Sequence, residues 1–365
     1  MKIGTLSGPY SLKYYKGEQT AKQLLDWDLQ LTRWADQYGY NEVYFTEHYT
    51  IGSEPSPAPD LMIAAASQIT ENVTLGAMGH LVPYHNPAAL AFRLMWLDHM
   101  TGGRYIAGVA PGSFPSDAQI FGTNGNNAEI LYEGLDVITK IWTEKGPWLH
   151  KGKHYTVDMP GYDELWHGPH LTPLQAPHPR IAIAGNSPRS IGHIEAGKRG
   201  MIPFSQQSSA TTLRSHWETY SEAAEEAGHT PVRSDWRILR DVFVADTDEE
   251  ARSAILDGAH GNFWREHLLP LFKKFGLAGA LLEPGQNADE LTVEHIVDHI
   301  FLVGSPDTVV TKARKLYEDV GGFGTLVSSV HDYSEEPEIM RRSMELMGTE
   351  VAPRLADLAL TSTAP

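Results

Sequence analysis

Short apolar runs alternate along nearly the whole chain with longer stretches in which apolar residues recur every three or four positions, the signatures of strand and helix in turn. The runs predict strands near 2–6, 41–46, 73–79, 104–109, 180–185, 201–205, 237–244 and 323–330. Between the first two, Leu24, Trp27, Leu31, Trp34 and Tyr38 form a helical stripe that stops at Gly39. Ile130, Leu131, Leu135, Ile138 and Trp142 repeat the pattern in a helix over about 126–144. Strands separated by helices pair in parallel, and eight of them point to the α/β class and a closed (β/α)8 TIM barrel rather than an open sheet. No composition shift divides the chain, so one barrel domain is expected over 1–358, with insertions near 147–179 and 252–300 and a tail over 359–365. The first insertion is rich in Pro and His, the second helical and acidic; connections this long are commonly lids or binding elements.

Charge narrows the partners. Lys and Arg total 29 against 46 Asp and Glu, a formal charge of −17 that disfavours nucleic acid and anionic membrane surfaces. With no cysteine, disulfides, thiolate catalysis and iron–sulfur clusters are excluded, and any redox chemistry must come from a bound cofactor. The amino terminus reads at once as a strand, without a signal-like apolar segment, and no run approaches the ~18 apolar residues of a spanning helix, so a cytoplasmic protein is expected.

In a β/α barrel, chemistry gathers where strands end. After the second strand, Phe45-Thr46-Glu47-His48-Tyr49 places His48 at the mouth, suited to a general acid, base or donor; a satisfied structural histidine is the plainer alternative. The third strand ends at Gly76-Ala77-Met78-Gly79 and the fourth runs into Ala110-Pro111-Gly112. Small residues at neighbouring strand ends let a flat ring lie on the backbone, although close strand packing explains them more simply. After the fifth strand, Ser187 suits a helix N-cap and Pro188 the first helical position. Such a start binds phosphate, with Arg189 supplying charge and Ser190 a hydroxyl. The similar cap at Ser305-Pro306-Asp307 carries an acid that repels an anion, so the first start is preferred. At the eighth strand end, Ser328 to Tyr333 includes His331, which either orients substrate or belongs to a capped turn. His295 and His299 lack the Glu of a zinc hydrolase helix, and no metal is expected. Walker, dinucleotide-binding and nucleophile-elbow motifs are not visible.

The blocks Val73 to Pro87 and Leu97 to Arg104, with Glu47-His48 before them, resemble the bacterial luciferase family of flavin monooxygenases. The segments His216 to Tyr220, Ala227 to Pro231, Phe301 to Val309, Gly321 to Thr325 and His331 to Tyr333 resemble in particular its diketocamphane monooxygenases, type II Baeyer–Villiger enzymes, and then limonene monooxygenase-like proteins. The resemblance implies a luciferase-type barrel, usually a homodimer, that takes reduced FMN from a separate reductase. It would insert one atom of O2, through a peroxyflavin, into a neutral apolar molecule such as a cyclic ketone or terpenoid. A deprotonated peroxide gives insertion beside a carbonyl, a protonated one hydroxylation or epoxidation. By position the resemblance implies His48 as the active-site histidine, Met78-Gly79 as a non-prolyl cis peptide beneath the flavin, and Asn186, Ser187 and Ser190 as phosphate contacts. Where luciferase has a phosphate-binding arginine after the fourth strand this chain has Pro111, leaving Arg189 or another residue to supply charge. Two alternatives stay open: a deazaflavin-dependent oxidoreductase on the same barrel, whose anionic cofactor suits an acidic surface poorly, and a non-catalytic flavin-binding barrel.

Overall fold

The computed structural model describes residues 1–123 and 125–358, so the expected tail lies outside the described residues. Eight parallel strands close a barrel: β1 (Lys2–Ser7), β2 (Glu42–Phe45), β3 (Thr74–Ala77), β4 (Tyr105–Ala110), β5 (Arg180–Gly185), β6 (Ile202–Ser205), β7 (Arg237–Val244) and β8 (Thr325–Val330). Each pairs with the next, and β8 returns to β1. These are the strands that the apolar runs predict. The third is shorter than expected: it stops at Ala77, and after the cis Met78–Gly79 peptide the chain resumes as a two-residue strand, His80–Leu81, against the end of β4.

Main helices pack outside: α1 (Ala21–Gln37), α2 (Pro59–Ser67), α3 (Pro87–Met100), α4 (Asn127–Thr143), α5 (Ile191–Lys198), α6 (Ala210–Glu226), α7 (Pro306–Val320) and α8 (Pro337–Leu346). The cause is visible in α1, where Thr20 and Gln23 form a capping box and Leu24, Trp27, Leu31 and Trp34 turn inward. The helix ends at Gln37, with Tyr38 as its cap before Gly39, whose φ of 79° suits glycine.

Strand side chains alternate between two cores. Leu6, Tyr44, Met78, Ile106, Phe204, Leu239 and Val327 fill the lumen, and the residues between them pack beneath the helices. The amino-terminal end of the lumen is closed by a buried ion pair, Arg237 Nη2 to Glu42 Oε1 at 2.7 Å, with the Tyr44 hydroxyl donating to the same carboxylate.

The two insertions lie at opposite ends. Residues 147–179 join a helix to the following strand, so they belong to the closed end. They form a hairpin, Trp148–Lys151 with Thr156–Met159, and a loop whose Leu174 and Gln175 N–H groups donate to Asp98. This stretch is therefore no lid over the mouth. Residues 252–300 follow β7 and cover the open end, carrying His260, Phe263 and Trp264 onto it. Among the described residues no helix is long and apolar enough to cross a membrane.

Candidate functional site

The period-two alternation decides what reaches the mouth. On β7 it runs Arg237, Leu239, Asp241, and on β8 it runs Val327, Ser329 and on to His331, so Asp241 and His331 meet at neighbouring strand ends. His331 Nε2 lies 3.2 Å from Asp241 Oδ1. The other carboxylate oxygen accepts from Trp264 Nε1 at 3.0 Å and Gln207 Nε2 at 3.2 Å. Burial alone would raise the Asp241 pKa, but the His331 hydrogen bond, the neighbouring histidines and Gln207 hold it below its ordinary value. A carboxylate can only accept, so His331 donates from Nε2; its Nδ1 is buried and has no partner among the described residues.

Around this ring stand His260, Tyr10 and Phe263, at centroid distances of 3.9, 5.1 and 5.4 Å. Burial, and then the neighbouring His331 ring, keep His260 neutral by pushing its pKa well below 6.5. Asp241, His260 and His331 bring potential metal-donor atoms within 4.8 Å of one another. One hydrogen bond, from His331 Nε2 to Asp241 Oδ1, joins two of these groups, and His260 Nε2 lies 3.6 Å from the same oxygen with no hydrogen-bond partner among the described residues. His295 and His299 pack with ring centroids 4.5 Å apart, away from it.

His48 reaches the mouth from β2. Past Thr46 the chain bends, and the His48 main chain pairs with Ser56, whose hydroxyl donates to the Thr46 carbonyl. The imidazole sits edge-on to Phe114 at 5.3 Å. Its Nε2 lies 3.4 Å from Glu54 Oε1, and its Nδ1 is buried without a partner among the described residues. The adjacent Glu47 turns away: it accepts from Leu81 N at 3.0 Å and meets His85 Nε2 at 2.8 Å. Thus the Glu47-His48 pair separates into an anchor for the next strand end and a mouth residue. Glu54, which sequence reasoning missed, faces both His48 and His331.

The small residues at β3 and β4 have a packing cause. A Cβ at Gly108 would lie 1.7 Å from Ala77 O, and one at Gly79 would lie 2.7 Å from Val109 C. Ala77 packs in the outer core, Met78 in the lumen, and Ala110 is half-buried at the end of β4.

The helix start after β5 requires a correction. Ser190, not Ser187, is the N-cap, accepting from Gly192 N at 3.2 Å, and α5 begins at Ile191. Arg189 adopts a left-handed φ of 51°, which keeps Pro188 in a turn instead of the first helical position. The Arg189 side chain points outward to Glu222 Oε2 at 3.3 Å. Asn186 and Ser187 are exposed, and among the described residues no main-chain acceptor takes the N–H of Ser187 or Ser190.

Beneath this loop lies a neutral platform. His216 Nε2 donates to Ser187 O at 2.9 Å, while Ser205 Oγ contacts His216 Nδ1, His193 Nε2 and Trp236 Nε1 at 3.0, 3.1 and 2.8 Å. Trp236 can only donate, and burial lowers the His216 pKa to about 4, so the Ser205 proton goes to His216 Nδ1 and His193 donates from Nε2. At the start of α7, by contrast, Asp248 already accepts from Ser305 N at 2.6 Å and Thr308 Oγ1 at 2.8 Å. That start holds a resident carboxylate.

Among the described residues the mouth of this closed β/α barrel holds three buried histidine nitrogens without a hydrogen-bond partner, on His48, His260 and His331, and an open helix start lies beside it, an arrangement able to hold an anionic cofactor. The luciferase-like monooxygenase family model matches residues 12–322, and the chain belongs to that family. It is 35% identical over 376 residues to 3,6-diketocamphane 1,6-monooxygenase of Pseudomonas putida, covering 97% of this chain and 98% of that one. Among solved structures, the oxygenating constituent of 3,6-diketocamphane monooxygenase from Pseudomonas putida, in complex with FMN, aligns with a TM-score of 0.91 and 36% identity over 97% of this chain and 98% of that one. An F420-dependent secondary alcohol dehydrogenase aligns with a TM-score of 0.68 and 18% identity, covering 97% and 98%, a likeness of fold alone.

Proposed function

We propose that this chain is the oxygenase of a two-component system: it takes reduced FMN from a separate reductase and inserts one atom of O2 into a neutral, apolar cyclic ketone or terpenoid. The observation that carries this reading is the pair of buried, partnerless nitrogens, His48 Nδ1 and His331 Nδ1, at the ends of the two strands that flank β1. Likeness to an enzyme named for oxidising a diketone supports insertion beside a carbonyl over hydroxylation or epoxidation. The FMN-bound relative is the oxygenating constituent of its enzyme, and likeness to it supports a separate reductase here.

The residues fit the cofactor. The N–H groups of Ser187 and Ser190 and the start of α5 offer one phosphate a positive, preorganised cradle on the neutral His216–Ser205 platform. Asn186 adds an exposed amide beside them, and Arg189 adds charge on leaving Glu222. Met78, Gly79 and Ala110 form the floor for the ring, with the side chain of Ala77 behind it. Bound reduced FMN supplies the two electrons that divide dioxygen between product and water.

The protein orients, dries and moves protons. Tyr10, Phe114 and Phe263 wall the two histidines and exclude water. His48 Nδ1 is placed to donate to the reacting oxygen, and His331 Nδ1, its ring fixed through Asp241, accepts. The buried carboxylate of Asp241 gives the mouth a negative bias that favours a neutral substrate over an anionic one. Exposed Leu61 and Trp96, on α2 and α3, support a homodimer, and we place the enzyme in the cytoplasm. Anaerobic titration tests the cofactor. Reduced FMN should bind more tightly than FAD or a deazaflavin; preference for the deazaflavin would overturn the reading.

A further inference from the structure

We infer that Glu54 is the proton store of the mouth, passing a proton to His48 Nε2 as His48 Nδ1 gives its own to the reacting oxygen. The inference rests on the monooxygenase reading above and deepens it.

Glu54 is 7% exposed, and its Oε1 has no hydrogen-bond partner among the described residues. Two contacts aim the loop that carries it. The His48–Ser56 bridge folds the loop back over the end of β2, and Ser11 N donates to Ser53 O at 2.9 Å from the other side. This leaves Oε1 facing His48 Nε2 at 3.4 Å. Catalytic hydrogen bonds are commonly long before substrate binds and tighten in the complex. Phe114 covers the same imidazole.

The titratable and charged groups facing Glu54 are His48, His331, Asp117, Tyr10 and Asp28. Burial outweighs the two histidines and lifts the carboxyl above its ordinary value, so Glu54 keeps a proton to higher pH than a free glutamate does.

The transfer balances without oxidising or reducing the protein. The Glu54 O–H bond breaks as N–H forms at His48 Nε2; the Nδ1–H bond breaks as O–H forms on the reacting oxygen. Overall, ketone, dioxygen and reduced FMN give ester, water and FMN. Both hydrogens of the water derive from the reduced flavin, so the proton lent by Glu54 returns to it.

Glu54→Gln tests the inference, with Glu54→Asp as the conservative control. In the flavin-free enzyme, a protonated-carboxyl infrared band that titrates in the wild type should vanish in Glu54→Gln. With reduced FMN, oxygen and a ketone substrate, Glu54→Gln should transfer oxygen ~10 to 100-fold more slowly and release hydrogen peroxide. Its coupling should stay low and flat across pH, whereas wild-type coupling should fall on the alkaline side as Glu54 ionises. Glu54→Asp should recover part of the coupling. Wild-type coupling and pH profile in Glu54→Gln would overturn the inference. If the glutamine variant does not fold, the wild-type infrared titration decides, and absence of a titrating protonated carboxyl overturns it. If the wild type consumes no oxygen with any ketone, the monooxygenase reading fails instead, while the infrared band still judges the Glu54 carboxyl.

Discussion

Asp28 should make the protein less stable as pH rises, and Asp28→Asn should remove that dependence. The carboxylate lies on α1 below the mouth, 4% exposed, with Ser7 Oγ donating to it at 2.9 Å. Burial is the largest cause that lifts its pKa from 3.8 to about 7; the Ser7 hydrogen bond opposes it, and Asp332 and Glu54 add to it. Because the folded value is the higher one, the favourable contribution is complete below the unfolded pKa and is lost as pH rises through about 7. A rise of this size corresponds to roughly 4 kcal/mol of destabilisation once the group is ionised in both states. Asparagine keeps the shape and a carbonyl for Ser7 but never charges. Urea unfolding from about pH 4 to pH 8 should find the two proteins similar at the acid end and the variant up to ~4 kcal/mol more stable at the alkaline end. For a chain of 365 residues that is a Tm difference of about 5 °C. Parallel stability curves for the two proteins across this range would refute the reasoning. A buried acid so weakly compensated fits a site whose electrostatics are held at some cost to stability.

Other outcomes follow from the same structure. Ser190→Asp should preserve the cap of α5 but repel the phosphate, weakening FMN binding at least tenfold in an equilibrium titration, whereas Ser305→Asp should leave it unchanged; equal effects would exclude the α5 start as the phosphate site. Arg237→Met should cost about 3–5 kcal/mol in urea unfolding by stranding Glu42, and Arg237→Met with Glu42→Met should recover most of it; no recovery would show that the pair acts through more than mutual charge compensation. His48→Ala should hold reduced FMN normally yet transfer oxygen ~100-fold or more slowly, diverting oxygen to hydrogen peroxide; normal coupling would return His48 to a structural role.

The barrel was legible because its strands are short, continuous apolar runs buried on both faces, and each is followed by a helical stripe. His331 was legible as a polar residue in the turn just past β8. Asp241 carried a signal that went unused: it keeps phase with Arg237 and Leu239, which makes it an inward-facing acid at a strand end. Glu54 had no comparable signal, since its loop has no period and its position depends on the long-range contact of Ser53 with Ser11. The N-cap after β5 was misplaced by three residues because Ser-Pro and Arg-Ser both satisfy cap chemistry. The left-handed Arg189 decides between them, and composition does not encode it. The long connection at 147–179 suggested a lid until its place between a helix and the following strand put it at the closed end.

Product analysis with isotopically labelled dioxygen tests the central claim most directly. The purified chain would be supplied with chemically or enzymatically reduced FMN, 18O2 and a panel of cyclic ketones and terpenes. One labelled atom should appear in an ester or lactone product and the other in water, and no product should form without oxygen. Turnover of the same substrates without oxygen, or product whose new oxygen comes from water, would contradict the monooxygenase reading.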